Sequence, residues 1–574
     1  MDIIQLMRAC KDAGVPWCND INLRHKGVKD CIDYYDQIIP KLSIKLNILH
    51  KKNYPDRFWD ILVGPWLIQF IGMMIDRINL IKGSLDHGVY IKSLEPKGQR
   101  IIPKTTYESL KLTELNTYNT QLLLDILRII SNEKLEFSQT KIDVNRDLSE
   151  FNTNVNFEPE KNRKKKILNN ISKLFSNKNS IYVTNSTIPI NLHFKLFWRL
   201  RGFRSIAPLM DGTSAFTNNI STKMRDGLNL ETKVEKTDDL LEPDLELITK
   251  ILYLYLPVCF LEGFSKISDS LRLFPNPPSS IILGTEMYGR YESFCHWVAI
   301  CAIKGTKIYT MQHGGTYATE KVSDYVCTEV RAYDGFYTWG WKWPKYGVET
   351  NKFLPMPSAF LLNKKNYKIT SVRGQLLFVV TAIQKQVRRL SGSETDPYLN
   401  DKYVQDQISF FKALPKNLQN RLRVRLYKDD LGQNYKGNWE RQVPNIKFDN
   451  LSQSFDTSLK ETAIYISDHL STTWIEALAL NKPTILFINL STYNFSPDTW
   501  SYLQLLHKVK ILHFSPNEAA NHLEKVSNDI EVWWNSNKTQ NAVRKFLNVM
   551  GSCPKNSLEL WVSELIRIRD SRLK

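Results

Sequence analysis

Two polar loops, each following a short apolar run, carry side chains that could act on a sugar or a phosphate. Glu286 follows the apolar residues 281–283, and His313 follows a second run at 307–311. A helix-like segment separates them, so the order is strand, loop, helix, strand, loop. In an open parallel sheet, ligands bind at the loops that leave the carboxyl ends of the strands. Glu286 and His313 are therefore predicted to be neighbours in space.

A carboxylate and an imidazole at one sheet edge suit a displacement at an anomeric carbon. Glu286 is predicted as general base or nucleophile, because a carboxylate can deprotonate an acceptor hydroxyl or attack the sugar itself. His313 is predicted to bind or polarise an anionic sugar group, although a lone histidine is more often structural. Gly314 and Gly315 lack side chains and would let the backbone approach that substrate closely. Gln312, Gly314 and Gly315 are predicted to bind it. Other acidic residues are weaker candidates for the carboxylate: Glu262, Glu292 and Asp334.

A hydroxyl-rich turn between another predicted strand (462–468) and a helix (474–480) forms a second candidate site. Hydroxyls and free backbone N–H groups at a helix start can bind an anion, and a glutamate in the first turn could reach ribose hydroxyls. The residues predicted to bind a nucleotide here are Asp468, Ser471, Thr472, Thr473 and Glu476. The alternative is an ordinary capping box, with Thr472 or Thr473 paired to Glu476.

Basic residues follow two further predicted strands of the second half. Lys385, Arg388 and Arg389 lie in the loop after residues 375–381 and could contact a phosphate or carboxylate, or form only a solvated loop. Arg425 and Lys428 could neutralise a phosphate beside the strand at 422–427. The pair Asp429-Asp430 resembles a metal-binding motif, but no third ligand is evident nearby. No metal and no cofactor are therefore predicted.

The composition predicts a large globular protein with an anionic partner. A chain of 574 residues needs at least two cores, and 42% hydrophobic and 11% aromatic residues can fill them. Eight cysteines without CxxC pairs indicate reduced thiols, without a disulfide framework or a zinc site. The formal charge of +18 favours nucleic acid, an anionic membrane face or acidic substrates. No zinc-finger or RNP-like spacing supports nucleic acid, so no nucleic-acid partner is predicted.

The order of patterns along the chain predicts the domain organisation. Residues 1–360 are expected to form a first Rossmann-like domain with helices at its start and a polar insertion at 134–180. A linker is expected at 351–365, a second Rossmann-like domain at 361–540, and a helical tail at 541–574 that returns to the first domain. Trp59 and Trp66 are expected in the core, and the tryptophans 339, 341 and 343 on a strand edge.

The sequence favours a cytoplasmic location. The first residues lack the pattern of a signal peptide. The longest apolar run, 61–75, is interrupted by Gly64, Pro65 and Gln69 and is too short to cross a bilayer. A peripheral contact with the inner membrane face stays open as an alternative.

Residues 468–483 follow the pattern D-x-x-S/T-x-x-x-E-A-L-x-x-x-K-P and resemble the nucleotide-sugar half of GT-B glycosyltransferases. Residues 59–77, 259–264 and 338–341, together with the Gln-His-Gly loop, are similar to the LIC12162 family of bacterial surface-carbohydrate transferases over nearly the whole chain. The same loop resembles that of capsule transferases that use CMP-activated 3-deoxy-octulosonate (Kdo) or related nonulosonic acids.

These resemblances imply an α/β protein of the GT-B class and a metal-independent glycosyltransferase. They imply a CMP-linked acidic sugar as donor and a surface glycan or glycolipid as acceptor. The capsule enzymes often have a His-Pro pair where this chain has Tyr427-Lys428, which weakens the CMP assignment. Four alternatives stay open: a teichoic-acid-type transferase using CDP-glycerol or CDP-ribitol, a hexosyltransferase using UDP or GDP donors, a GT-B-like epimerase, and a non-catalytic scaffold.

Overall fold

The computed structural model describes residues 2–90, 94–97, 99–130, 138–143, 180–184, 188, 195–196, 199–200, 203–206, 220–228, 243–284, 291–362, 374–390 and 396–570. Most of the predicted insertion at 134–180, and Glu286, lie outside these residues. Two large parallel sheets organise the described chain, and a short parallel pair consists of β1 (Leu94–Lys97) and β2 (Ser138–Asp143).

The first sheet has six parallel strands in the order β4-β3-β5-β6-β7-β8. They are β3 (Ile181–Thr184), β4 (Phe203–Ile206), β5 (Ser280–Leu283), β6 (Lys307–Met311), β7 (Gly335–Thr338) and β8 (Phe353–Pro355). β5 pairs in parallel with β6, and the helix Glu292–Ile303 connects them, so the predicted strand–helix–strand unit is confirmed. The predicted linker is wrong in part, because residues 353–355 complete the edge of this sheet by pairing with β7.

The second sheet has five parallel strands in the order β10-β9-β11-β12-β13. They are β9 (Gln375–Val379), β10 (Leu422–Arg425), β11 (Thr462–Ser467), β12 (Thr484–Phe487) and β13 (Leu512–His513). The central strands are apolar on both faces, as a sheet covered by helices on both sides requires. The predicted architecture of two Rossmann-like domains is confirmed.

A helical layer precedes the first sheet. It consists of Ile3–Asp12, Pro16–Asn19, Ile21–His50, Asp56–Leu62, Gly64–Asp86, Thr106–Leu112 and Asn116–Ile130. Trp59 and Trp66 are buried in it, as expected. Within the described residues no single helix is long and apolar enough to cross a membrane, and one bent pair, Asp56–Leu62 with Gly64–Asp86, meets that criterion only jointly.

The remaining helices are distributed over the two domains, and two of them, Thr222–Gly227 and Pro243–Tyr255, pack against the helical layer. Those of the first domain are Thr222–Gly227, Pro243–Tyr255, Val258–Phe260, Phe264–Asp269, Ser270–Leu273, Thr316–Thr319, Asp324–Arg331 and Thr350–Lys352. Those that follow β9 are Pro397–Leu399, Asn400–Ala413, Lys416–Arg421, Tyr435–Gln442, Phe455–Lys460, Thr473–Ala479, Leu490–Thr492, Pro497–Lys508, Pro516–Val526, Ile530–Trp534, Asn537–Met550 and Ser557–Asp570.

The C-terminal region consists of two helices with different partners. Asn537–Met550 stays with the second domain, where the Phe546 and Trp474 rings lie 4.9 Å apart. Ser557–Asp570 packs on the first sheet, and its Trp561 Nε1 donates to the Pro357 carbonyl at 3.0 Å. The return to the first domain therefore begins later than the expected residue 541.

The two domains share an aromatic core. β7 ends at Thr338, so the tryptophans 339, 341 and 343 lie after the strand rather than on it. All three are buried in one cluster with Trp474 of the second domain. The backbones also join across the domains: Lys321 N donates to Asn494 O at 2.8 Å and Ser496 N donates to Thr319 O at 3.0 Å. The carboxyl edges of the two sheets are thereby held facing each other.

Candidate active site

The Gln-His-Gly loop after β6 and the hydroxyl-rich loop after β11 touch each other across the domains. Gly315 N lies 3.3 Å from Thr472 Oγ1 and donates to it. A Cβ atom at Gly315 would lie 2.3 Å from the Ser471 carbonyl oxygen, whereas one at Gly314 would lie 3.2 Å from Thr472 Oγ1. Two candidate sites that are far apart in the sequence therefore form one site, and the absence of a side chain at Gly315 permits the contact.

His313 is the first member of a hydrogen-bonded chain of three side chains. Its Nδ1 lies 2.6 Å from the Tyr317 hydroxyl, which donates to Glu329 Oε2 at 2.7 Å. Because an ionised carboxylate only accepts, the tyrosyl proton belongs to the bond with Glu329, and Nδ1 of His313 must carry a proton and donate. Nε2 of His313 is then the basic nitrogen. Tyr317 and Glu329 are buried, while His313 is exposed.

The electrostatic surroundings keep this imidazole neutral. Two effects lower the pKa of His313 to about 4. The larger is desolvation of the ring, and the smaller is the positive charge of Arg389. The ring is therefore uncharged at neutral pH, and its Nε2 can accept a proton. Arg389 belongs to the loop after β9, so a residue of the second domain tunes a side chain of the first.

The loop that carries Arg389 is anchored in the helical layer. Arg77, fully buried on the helix Gly64–Asp86, donates to the Val387 carbonyl at 3.0 Å. The Gln386 side chain donates to the Thr113 carbonyl, and Arg388 forms an ion pair with Glu114. Arg388 is thus used within the protein. Lys385 is exposed and lies against the turn at Gly432.

Gln312 has a positioning role rather than the predicted substrate-binding role. Its Oε1 accepts from Trp339 N at 2.8 Å and from Trp341 Nε1 at 2.7 Å. Its Nε2 donates to the Gly314 carbonyl at 2.7 Å, and the residue is buried. The amide therefore braces the loop against the aromatic core.

Asp468 anchors the second loop. Its Oδ1 accepts from the Tyr403 hydroxyl and its Oδ2 from Gln407 Nε2, both at 2.8 Å. Both partners lie on the helix Asn400–Ala413, and Asp468 is buried. These bonds hold the end of β11 in place; direct contact of Asp468 with a nucleotide stays a prediction.

The predicted capping box is wrong. Thr472 is the N-cap residue of Thr473–Ala479, but its backbone is helical (φ −80°, ψ −35°) and its side chain makes no capping bond. The Thr472 hydroxyl instead accepts from Gly315 N, and the Thr473 hydroxyl lies 2.7 Å from that of Tyr465. The helix therefore begins without a side-chain cap from Thr472, and the binding of an anion by its first amides stays a prediction. Ser471 is half-buried and Glu476 buried, and their nucleotide contacts stay predictions.

His469 is a residue of this site that the sequence reasoning did not assign. It is buried, and its Nδ1 accepts from Ser471 N at 3.3 Å. Burial lowers its pKa to about 3, so the ring is neutral. It shapes the hydroxyl-rich turn. Its position in the sequence, between the predicted site residues Asp468 and Ser471, could have indicated that it belongs to this site.

Arg425 already has partners within the second domain. Its guanidinium forms an ion pair with Asp449 and donates to Ser458 Oγ at 3.1 Å. These contacts give Arg425 a structural role, and its contact with a donor phosphate stays a prediction. Lys428 is exposed, and the Asp430 carboxylate accepts from Gly432 N at 2.7 Å within its own turn.

The weaker candidates for the catalytic carboxylate have structural partners. Glu262 forms a two-pronged ion pair with Arg225, with both N–O distances 2.9 Å. Asp334 pairs with Arg57 and accepts from Ile308 N, and Glu292 accepts from Thr106 N at 2.7 Å. Glu286 lies outside the described residues and stays a prediction.

The family model of the LIC12162 family transferases matches residues 8–565. The chain belongs to the LIC12162 family. This membership makes it a transferase, and two facing Rossmann-like domains with a returning terminal helix are the GT-B arrangement. No curated protein matches the sequence.

Solved structures similar to this LIC12162-family chain are distant. S. aureus MnaA with UDP is 9% identical, covering 69% of this chain and 96% of that one at a TM-score of 0.36. A UDP-N-acetylglucosamine 2-epimerase from Listeria monocytogenes is 8% identical, with coverage of 69% and 97% and a TM-score of 0.37. WaaG, a lipopolysaccharide glycosyltransferase, is 11% identical, with coverage of 53% and 95% and a TM-score of 0.28. Because these scores are low, we carry no substrate over from these proteins.

Proposed function

We propose that this LIC12162-family transferase moves an acidic sugar of the Kdo or nonulosonic acid type from a CMP-linked donor to a bacterial surface glycan or glycolipid. The observation that supports glycosyl transfer is the contact between Gly315 and Thr472. It brings a neutral imidazole from one sheet and an uncapped helix start from the other to the same cleft. Such a pair supplies a base for the acceptor and a binding site for the phosphate of the donor.

In the proposed reaction His313 Nε2 takes the proton of the acceptor hydroxyl while that oxygen attacks the anomeric carbon. The bond from this carbon to the donor phosphate breaks, and its electron pair leaves with the nucleotide. Tyr317 and Glu329 hold the imidazole in the required tautomer. The helix start at Thr473 stabilises the negative charge that grows on the phosphate. Glu286 is the alternative base.

An acidic donor sugar accords with the positive charge near the base. Arg389 acts electrostatically on His313 and can face a sugar carboxylate. The choice of CMP rests on the resemblance of the Gln-His-Gly loop, since Arg425 is engaged with Asp449. CDP-polyols and UDP- or GDP-hexoses would use the same helix start, so the nucleotide must be tested directly.

The test is thermal unfolding of the protein with CMP, CDP, UDP, UMP and GDP. A ligand at ~100 times its dissociation constant stabilises a protein by about 2.7 kcal/mol, which shifts the midpoint visibly. We expect CMP to give the largest shift, and Thr472→Val to reduce it. Lys412→Ala, at an exposed position outside both loops, is the control and should leave the shift unchanged.

A larger shift with CDP, UDP or GDP would replace the CMP-sugar proposal by a polyol-phosphate or hexose transferase. No shift with any nucleotide would contradict transferase activity of this site and favour a scaffold. Turnover with a CMP-sugar and a glycan acceptor would then decide between a glycosyltransferase and an epimerase, because an epimerase needs no acceptor.

A further inference from the structure

A basic cleft between the domains, separate from the site above, has no role in the proposed reaction. It encloses about 690 Å³. One wall is the helix Ile21–His50, which contributes His25, Lys26 and Lys29 from one face. Lys321 and Tyr346 come from elsewhere in the first domain, and Asn494 from the loop after β12. None of the described residues that line it is acidic.

The lysines of this cleft form no ion pair within the described part of the chain, although the carboxylates of Asp30, Asp33 and Asp36 act electrostatically on Tyr346. Lys26, Lys29 and Lys321 are exposed, and none of them lies within ion-pair distance of a described carboxylate. The Lys29 ammonium lies 5.1 Å from the centre of the Tyr346 ring, an arrangement that holds the cation at the cleft wall. The nearby Asp33 carboxylate already accepts from the Tyr346 hydroxyl at 2.6 Å. Three lysines around a volume of sugar size thus offer positive charge to a ligand.

The cleft shares one lining residue with a cavity that borders Asp468. Two of its other lining residues, Lys321 and Asn494, are joined by a backbone hydrogen bond, and Lys321 follows the segment that carries His313 and Tyr317 in the chain. Tyr493 lines this cleft and also a small cavity of about 30 Å³ beside Asp468. Tyr493 thus links the cleft to the surroundings of Asp468, and the three lysines are not among the residues predicted to bind the donor.

We infer that this cleft binds an anionic group, a phosphate or a carboxylate, of the acceptor. This inference rests on the proposed glycosyl transfer and specifies its second substrate as an acidic or phosphorylated glycan. The three lysines neutralise the anion, and the amide of Asn494 contacts the attached sugar. The phosphate could belong to a lipid-linked or to a free glycan, and both present the same chemistry to the cleft.

The test compares two triple variants with equal net charge. In the first, Lys26, Lys29 and Lys321 are replaced by Ala; in the control, the exposed residues Lys41, Lys416 and Lys508 are replaced by Ala. Inorganic pyrophosphate is the probe, titrated by calorimetry in the presence of a saturating concentration of whichever panel nucleotide stabilises the protein. We expect the first variant to bind pyrophosphate at least about tenfold more weakly than the control, because each lost cation contact weakens an exposed pair modestly.

Nucleotide stabilisation is measured on the same samples and should be equal in both variants. If no nucleotide shifts the unfolding midpoint of the wild type, the proposed function is contradicted. Pyrophosphate is then titrated without nucleotide, so that the cleft is still tested. Equal pyrophosphate affinity in the two triple variants would overturn the inference about the cleft. If the unfolding midpoint of the first variant is low, Lys26→Gln and Lys41→Gln provide the same comparison singly.

Vesicles separate the sources of the anion. The wild type and the first variant are tested for binding to phosphatidylcholine vesicles that contain phosphatidylglycerol. If only the wild type binds, and pyrophosphate does not displace it, the cleft is a membrane contact and the acceptor-site inference is overturned. Displacement of those vesicles by pyrophosphate would indicate a lipid-linked phosphate in the cleft. Pyrophosphate binding without vesicle binding would indicate a free glycan.

Discussion

At the scale of single residues, the chain His313–Tyr317–Glu329 carries the chemistry we propose. His313→Asn keeps a polar side chain but removes the basic nitrogen, and removal of a general base typically lowers the rate about 10²–10⁴-fold. We expect kcat to fall by that order while the nucleotide-induced thermal shift is kept. His87→Asn is the control, because His87 is exposed and distant in sequence from both candidate loops. An unchanged kcat in His313→Asn, with a lost kcat in Glu286→Gln, would assign the base to Glu286.

The pH dependence of the reaction is also decided by single residues. Because desolvation and the charge of Arg389 lower the pKa of His313 to about 4, the acidic limb of kcat/KM should lie well below the usual histidine value of about 6.5. Arg389→Ala removes the second of these causes, so the pKa of His313 rises and the acidic limb moves to higher pH. Arg388→Ala, beside it but paired with Glu114, should leave the limb in place. Identical pH profiles for the wild type and both variants would show that Arg389 does not affect the pKa of His313.

At the scale of elements, the contact between the two loops depends on glycine. A Cβ atom at Gly315 would lie 2.3 Å from the carbonyl oxygen of Ser471, and a backbone atom can yield only if the loop moves. We expect Gly315→Ala to lower kcat/KM about 10²-fold, since displacements near 1 Å in an active site cost that much. Gly227→Ala is the control outside the site, because within 4 Å its Cβ would meet only Cδ2 of the flexible Leu49 side chain, at 3.1 Å. Equal activities of the two variants would contradict the contact.

The brace between the Gln-His-Gly loop and the aromatic core is a second property of the elements. Gln312→Leu removes the acceptor of Trp339 N and Trp341 Nε1. A buried donor left unpaired costs about 1–3 kcal/mol, so the loss for the two donors is about 2–6 kcal/mol in total. Urea unfolding measures it as a lower free energy of unfolding. Gln419→Leu, whose half-exposed amide donates to one carbonyl, should cost less than about 1 kcal/mol. A Gln312 variant as stable as this control would show that the brace contributes little.

At the scale of the whole molecule, several neutral histidines make folding sensitive to acid. Burial lowers the pKa of His296 and His513 to about 4 and that of His469 to about 3, below the value of about 6.5 in an unfolded chain. Between these values the unfolded state binds more protons. The stabilisation is therefore complete above pH 6.5 and is lost as the pH falls towards 4.

His296 allows that dependence to be measured by difference. It is fully buried beside Phe58 and Phe264. In His296→Phe, the free energy of unfolding should fall less between pH 6.5 and pH 4.5 than in the wild type. His87→Asn, at an exposed site, should keep the wild-type slope. Equal slopes in the wild type and His296→Phe would mean that this imidazole titrates normally in the folded protein.

Most of the sheet architecture could be read from the sequence because its signals are local. Runs such as 281–283, 307–311 and 462–467 are apolar on both faces, which indicates buried parallel strands, and the polar residues that follow them mark the carboxyl edge. The helix after Thr472 and the burial of Trp59 followed from the same short-range patterns. The positions of His313 and Ser471 at strand ends were therefore predictable.

The partners of these residues depended on the tertiary structure, because they come from distant parts of the chain. Local rules predicted a capping box at Thr472, but domain packing gave its hydroxyl to Gly315. The same packing engaged Arg425 with Asp449 and placed Arg389 near His313. Thus the sequence by itself determined which residues stand at the sheet edges. Only the tertiary structure decided which of them face one another, since a contact between two domains leaves no periodic signal in either of the segments that make it.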